Sequence, residues 1–251
     1  MRIAITQPTY VPWLGYFDLI DQVDQFVLLD NVQFEKQSWQ QRNRIKTPSG
    51  LQWLTVPVVF RGRLGQQIKD VEIREPDFAR DHLRAVELSY RRSPFFDEYY
   101  PRFQNLLQSC KPGNRLVDLN VSLITWLLEV LGISTTMVRS SELPVEGKRT
   151  ALLADICRVL RAEVYLSPLG SAVYLLDEIA VMSDQNVQIL FQNYEHPVYQ
   201  QMFPPFQPFA SVLDLIFNNE GERSLEIIRS GRRKAFHPDE AMVRLNEGAK
   251  A

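Results

Sequence analysis

RIAITQPTYVPWLGYFDLIDQVDQFVLL, residues 2–29, reads as a strand, a turn, a helix and a second strand. RIAIT (2–6) and QFVLL (25–29) are short β-branched or apolar runs of the kind that strands buried on both faces carry. Between them WLGYFDLIDQV places apolar residues at helical spacing. Right-handed crossover makes such strands parallel and sets the QPTYVPW turn at the carboxyl edge of the sheet, where open α/β folds bind ligands.

Outward from this unit the same alternation returns. TTMVRSS (135–141), EVYLS (163–167) and VQILFQNY (187–194) read as strands, with helices at 148–161 and 171–182 between them. The expected fold is therefore α/β, a mostly parallel Rossmann-like sheet. LQWLTVPVV (51–59), with Pro57, suits an edge or bulged strand, and IKDVEI (68–73) a further short one. Residues 77–131 read as an inserted helical layer, with Asp77 as an N-cap, Pro94 at a helix start, Pro101 as an interruption and Gly132 as the stop. Two last helices are expected at 211–217 and 224–230, closing a single domain at 1–232 before a charged, frayed tail at 233–251.

Composition narrows the function. The chain has 251 residues, 45% apolar and 11% aromatic, enough for a substantial core. With 28 basic and 30 acidic residues its net charge is -2, which leaves no footprint for duplex nucleic acid or an anionic membrane surface. The expected partner is a small molecule, and oligomeric state is open. No apolar run reaches the roughly 20 residues that cross a bilayer, no leader segment is read, and the expected compartment is the cytoplasm. Cys110 and Cys157 lack metal-knuckle spacing and read as reduced core thiols. No metal site, HExxH or GxSxG motif is present in the sequence.

Several short stretches carry candidate chemistry, each beside a plainer alternative. In QPTYVPW the aromatics and prolines can simply stiffen a strand-to-helix connection, but Gln7 and Tyr10 then need partners that a polar ligand would supply. Arg42, Asn43, Arg44 and Lys46 fall in one short segment whose alternate residues share a face, suiting phosphate or carboxylate, or merely a solvated basic turn. Lys148 and Arg149 precede a helix whose N-terminus favours anions, or form an ordinary surface loop. Asp30, ending the second strand, is placed for a sugar hydroxyl or for capping a turn. Of the three histidines, His82 reads as helical and His237 as tail; His196, near Glu195 and Tyr199, is the candidate general base, or else a structural loop residue.

Residues 6–17, with RNRI (42–45), WLTVPV (53–58), SSEL (140–143), GKRT (147–150), EHPVYQQ (195–201) and SVLDLIFN (211–218), resemble the WbqC-like protein family from Met1 to about Gly231. That family is associated with gene clusters for bacterial surface polysaccharide. The resemblance implies transfer of glycine or another small acyl group onto an amino sugar. One departure concerns the turn after Ser167: a glycine-rich SGPGG is expected, and this chain has SPLGS at 167–171. Pro168 removes an amide donor and fixes its own φ, so a phosphate cradle there loses one of its contacts, although Ser167 remains a candidate.

WLGYFDLI followed by DQFVLLDNVQF also resembles the helix start and second strand of the HIGH-type nucleotidyltransferases, whose fold the sheet would share. In that superfamily two histidines bind nucleotide phosphates and a glycine lets the base lie against the backbone. Here Trp13 and Tyr16 stand at the histidine positions and Gly15 is kept. An indole and a phenol donate hydrogen bonds but cannot become imidazolium, so the site geometry would outlast adenylylation chemistry. RSSELPVEGKRT (139–150) is the nearest candidate for that superfamily's second signature. The leading expectation is a transferase or ligase of small acyl groups acting on an amine of a nucleotide-linked sugar, with ATP or another nucleotide as the cofactor in view. Its rivals are ATP-dependent nucleotidyl transfer and a non-catalytic module that binds nucleotide sugars or amino acids.

Overall fold

The computed structural model describes residues 1–75 and 77–248. Strands β1 (Arg2–Thr6), β2 (Gln25–Leu28), β5 (Thr136–Arg139), β6 (Val164–Ser167) and β7 (Gln188–Phe191) form one sheet in the order β5-β2-β1-β6-β7. Every pairing among them is parallel, with Ile3 opposite Gln25 on one side of β1 and Tyr165 on the other. Strand order reverses at β1, as a doubly wound Rossmann-like sheet requires. The remaining strands, β3 (Arg42–Thr47) and β4 (Gly50–Thr55), make a separate antiparallel hairpin.

Alternation along the strands assigns the two faces. Ala4, Phe26, Leu28 and Leu166 point to the larger core, against α1 (Leu14–Asp21), α4 (Leu116–Leu131) and α9 (Gly221–Ser230). The layer of α2 (Phe78–Tyr90), α3 (Phe96–Gln108) and α8 (Val212–Asn218) extends that side. Ile3, Ile5, Val27 and Tyr165 face the opposite core, with α5 (Thr150–Val159), α6 (Ala172–Leu175), α7 (Ile179–Ser183) and α10 (Pro238–Gly248). Both faces are covered, which is why the strands are apolar throughout rather than alternating in polarity.

Six expectations need correcting. RNRIKT, whose plainer reading was a solvated basic turn, is strand β3: Asn43 and Ile45 are both buried on its inner side, and the buried amide hides the period-2 pattern. IKDVEI is a 3₁₀ turn at Ile68–Asp70 followed by isolated bridges of Ile73 to Val58 and Glu72 to Arg115. Asp77 makes no side-chain capping bond, and Pro101 lies inside α3 rather than ending a helix. The helix expected at 171–182 divides into α6 and α7. Of the expected frayed tail, residues 233–248 are ordered onto the sheet side, since Phe236 exchanges two 2.9 Å backbone hydrogen bonds with Phe191 and Ala241 of α10 is buried, while 249–251 lie outside the described residues. Gly132 does end α4, in the left-handed conformation at φ 68° that glycine adopts at little cost.

Candidate functional site

The turn 7–13 is fixed from three sides. Asn120 of α4 donates its amide to the carbonyls of Pro8 (3.2 Å) and Gln40 (2.8 Å), and Asn43 donates to those of Tyr10 (3.1 Å) and Val11 (3.0 Å). Val11 is held at φ 34°, a conformation that a β-branched residue adopts only when its surroundings impose it. The segment entering α8 completes the clamp: the Ser211 amide donates to the Arg44 carbonyl at 2.7 Å and the Val212 amide to the Pro12 carbonyl at 2.8 Å. The turn, the hairpin and the start of α8 therefore meet as one rigid rim.

At that rim, above the carboxyl ends of β1 and β6, opens a cleft of about 390 Å³. Trp13, Gly15 and Tyr16 from the first turn, Trp39 and Arg44 from the hairpin side, and Phe209 line it, with Pro168 and Gln192. This is the crevice beside the strand-order reversal, where doubly wound sheets place their ligands. A groove of about 670 Å³ beside α2 and α3 is larger, but none of the buried, unpartnered polar atoms belongs to its walls. The cleft has one in Arg44 Nε, and we take the cleft as the site.

Gly15 is required here for space. A Cβ on it would stand 2.3 Å from Cη2 of Trp13, so the indole lies directly against the backbone. The seat that the HIGH-type resemblance would leave to a base is filled by the protein's own ring. Tyr16 is buried, donates its hydroxyl to the Gln7 carbonyl at 3.3 Å and has its pKa pushed well up by burial, so it stays protonated. Gln192, which sequence reasoning missed, donates to the Gly15 carbonyl (2.8 Å) and to Asp18 (2.7 Å). Asp18 is itself held by Arg232 at 2.8 Å, while burial, its largest influence, raises its pKa.

His196 sits behind the cleft wall. Its ring stacks on Trp13 (centroids 6.2 Å apart, planes at 16°) and meets Phe209 edge-on at 5.2 Å. Nδ1 is 2.9 Å from the Pro197 carbonyl, and burial lowers the pKa against the opposing effect of that bond. The neutral ring then donates from Nδ1 and keeps its lone pair on Nε2, which is buried with no partner.

The other expected residues divide clearly. Tyr10 is fully buried with its hydroxyl 2.8 Å from His82 Nδ1, and Asn43 is spent on the turn, so neither reaches the cleft. The oxygen of the Gln7 amide already accepts from Gln40 at 2.8 Å. Asp30, offered for a sugar hydroxyl, is fully buried, with both oxygens engaged by Arg139 and Ser141, and does not line the cleft. Tyr199 donates to the buried Asp214 at 2.8 Å, and Ser167 is buried beside Pro168. Lys46, which strand parity places with Arg42 and Arg44, is buried with Nζ 3.3 Å from the Thr47 carbonyl. Lys148 and Arg149 are exposed and outside the cleft lining, the latter 3.7 Å from Glu178. Trp39 and Phe209 were the missed apolar walls; a lone tryptophan in the polar run QSWQQ was the available signal for the first.

A family model described as the WbqC-like protein family matches residues 7–226. The chain belongs to the WbqC-like protein family. This family member is also similar to an uncharacterized protein of Mycobacterium tuberculosis, Rv1507c, at 37% identity over 218 residues, covering 86% of this chain and 93% of that protein. No solved structure matches it. Among the described residues, no helix is long and apolar enough to cross a membrane, and no group of three or more His, Cys, Asp or Glu side chains is arranged to hold a metal ion.

Proposed function

We propose that this WbqC-like protein is a transferase or ligase that joins a small acyl or amino-acyl group, glycine being the simplest, to an amine of a nucleotide-linked sugar or a related small metabolite. The observation that carries the reading is the cleft itself: an aromatic crevice at the strand-order reversal, with Arg44 at its wall free of any ion pair among the described residues. The guanidinium would hold a phosphate or carboxylate and the aromatic walls would exclude water. The attacking amine loses a proton to His196 Nε2 as its nitrogen bonds to the acyl carbonyl carbon, and the donor's leaving group departs with the electron pair of the broken bond. For that step the Trp13 indole has to turn aside, because it stands between His196 and the cleft. A histidine with a lowered pKa is already the free base at neutral pH.

One observation favours a second reading, a module that binds such a metabolite without turnover: the cleft lining contains no carboxylate, histidine, lysine or cysteine. Mass spectrometry of mixtures containing amino-sugar nucleotides, aminoacyl donors and ATP separates the two. The transferase reading expects a product heavier by the acyl group, with turnover in His196→Ala reduced about 10²- to 10⁴-fold while ligand affinity persists. Ligand binding without product, at equal affinity in His196→Ala, selects the binding module.

A further inference from the structure

Beyond the cleft mouth the β3–β4 hairpin and the turn before it carry an arrangement of which the reaction above uses only the part that lines the cleft, Arg44 and Trp39. Trp39 and Trp53 are 48% and 42% exposed, an unusual cost for two indoles lying side by side with centroids 5.3 Å apart. Cross-strand pairing sets Arg44 opposite Trp53, and two-residue alternation puts Arg42 on the same face. The Arg42 guanidinium stands 4.3 Å from the Trp53 ring centre; that of Arg44 is 5.3 Å from Trp53 and 5.5 Å from Trp39. Stacking fixes both guanidiniums without neutralising them. Neither forms an ion pair among the described residues, and Nε of each is buried with no partner. Two like charges held against one ring, each with an idle donor, call for an anion with more than one oxygen to offer.

The half-exposed indoles add a second requirement, a flat ring that can meet what the guanidiniums leave open. A nucleobase meets an indole over its whole face, whereas a pyranose presents only a few C–H bonds. Trp39 and Arg44 also line the cleft, so platform and cleft are continuous, and one extended ligand can span both. We infer that the β3–β4 hairpin is a nucleoside diphosphate site: the base stacks on Trp39 and Trp53, the phosphates meet Arg42 and Arg44, and whatever the diphosphate carries enters the cleft. The inference rests on the reading of the acceptor as nucleotide-linked and specifies which residues hold the nucleotide.

Isothermal titration calorimetry of the full chain with UDP, GDP, ADP and inorganic pyrophosphate tests it without any acyl donor. At least one nucleoside diphosphate is expected to bind tenfold or more tighter than pyrophosphate. Trp39→Ala and Trp53→Ala are each expected to weaken it roughly 5- to 150-fold, the range for losing one base–aromatic stack, with pyrophosphate affinity changed less than twofold. Trp53→Phe, which keeps a ring, is expected to retain most of the affinity, and Arg42→Ala to weaken both ligands. Nucleoside diphosphate affinity unchanged in the tryptophan variants overturns the platform while leaving the acyl-transfer reading intact. Absence of nucleotide binding in the wild type overturns the platform and the nucleotide-linked acceptor together, and acylation of an amine lacking a nucleotide would then preserve the transfer reaction alone.

Discussion

Two stretches of the same carboxyl edge are built from similar residues and finished differently. At the β2–β5 end, the Asp30 carboxylate accepts from Arg139 Nε (2.7 Å), Ser141 Oγ (2.8 Å) and the Ser141 amide (2.9 Å), while Ser140 Oγ shares its one proton between Asp30 (3.1 Å) and Asn31 Oδ1 (2.7 Å). Both carboxylate oxygens are engaged by the protein. At the β1–β6 end, Arg44 Nε and His196 Nε2 are buried without partners, among rings rather than counter-charges. A closed cluster gives stability and has nothing left for a ligand. An open one gives up hydrogen bonds worth about 1 kcal/mol each to keep donors and acceptors available, and that contrast makes the cleft the candidate site.

If the contrast is sound, opening the closed end should cost most. Asp30→Ala removes a fully buried carboxylate and leaves Arg139, 24% exposed, with only the outer partner Asp118. A loss of about 3 kcal/mol is expected, read as a lower urea midpoint at unchanged slope. A loss below 1 kcal/mol would mean that the Asp30 cluster is not the closed structural unit described.

The buried His82 sharpens the same comparison through pH. His82 has one nitrogen on Tyr10 and a further hydrogen bond to the Thr55 backbone, and burial lowers its pKa to about 4 from an ordinary 6.5. Between those values the unfolded chain holds a proton that the folded chain refuses, so stability falls as pH drops from about 6.5 to about 4 and no further below that. The contribution amounts to at most about 3 kcal/mol. Comparing melting temperatures of the wild type and His82→Gln at pH 7 and pH 4.5 isolates it, since other groups act on both proteins. The wild type should lose more on acidification; equal losses would show that His82 is not held neutral by its closed surroundings.

How far the sequence discloses this contrast depends on which forces act locally. The β-α-β opening and the later strand and helix alternation are legible because buried parallel strands are apolar runs and α1 keeps its 3.6-residue period. That Trp13, Gly15 and Tyr16 line the cleft was legible because the turn after β1 falls at the sheet edge by topology, and Arg44 stood out through the alternation of cations in RNRIK. The fate of Asp30, Tyr10 and Tyr199 was not legible. Each finds its partner more than ten residues away in the chain, at Arg139, His82 and Asp214, and no local pattern reports such pairings. The hairpin was obscured for a related reason: Asn43 points inward to hold Tyr10 and Val11, so a polar letter stands where a strand pattern calls for an apolar one.

The smallest expected effect on the fold tests the open end. Arg44→Met keeps an unbranched stem over Trp39 and Trp53 and removes the guanidinium, which makes no ion pair and gives only a 3.4 Å bond to the Phe209 carbonyl. Stability should change by no more than about 1 kcal/mol, the scale of an exposed cation–π contact. Affinity for a phosphate-bearing ligand should nevertheless fall about tenfold or more, because a hydrogen bond to a charged group contributes about 1.5–3 kcal/mol. Asp30→Ala should show the reverse order, a large change in urea midpoint and, under conditions where the variant is still folded, little change in affinity. The two ends differ in kind only if these measurements separate: an Arg44→Met protein as destabilised as Asp30→Ala, with ligand affinity intact, would make Arg44 part of the scaffold and leave the cleft without its charged contact.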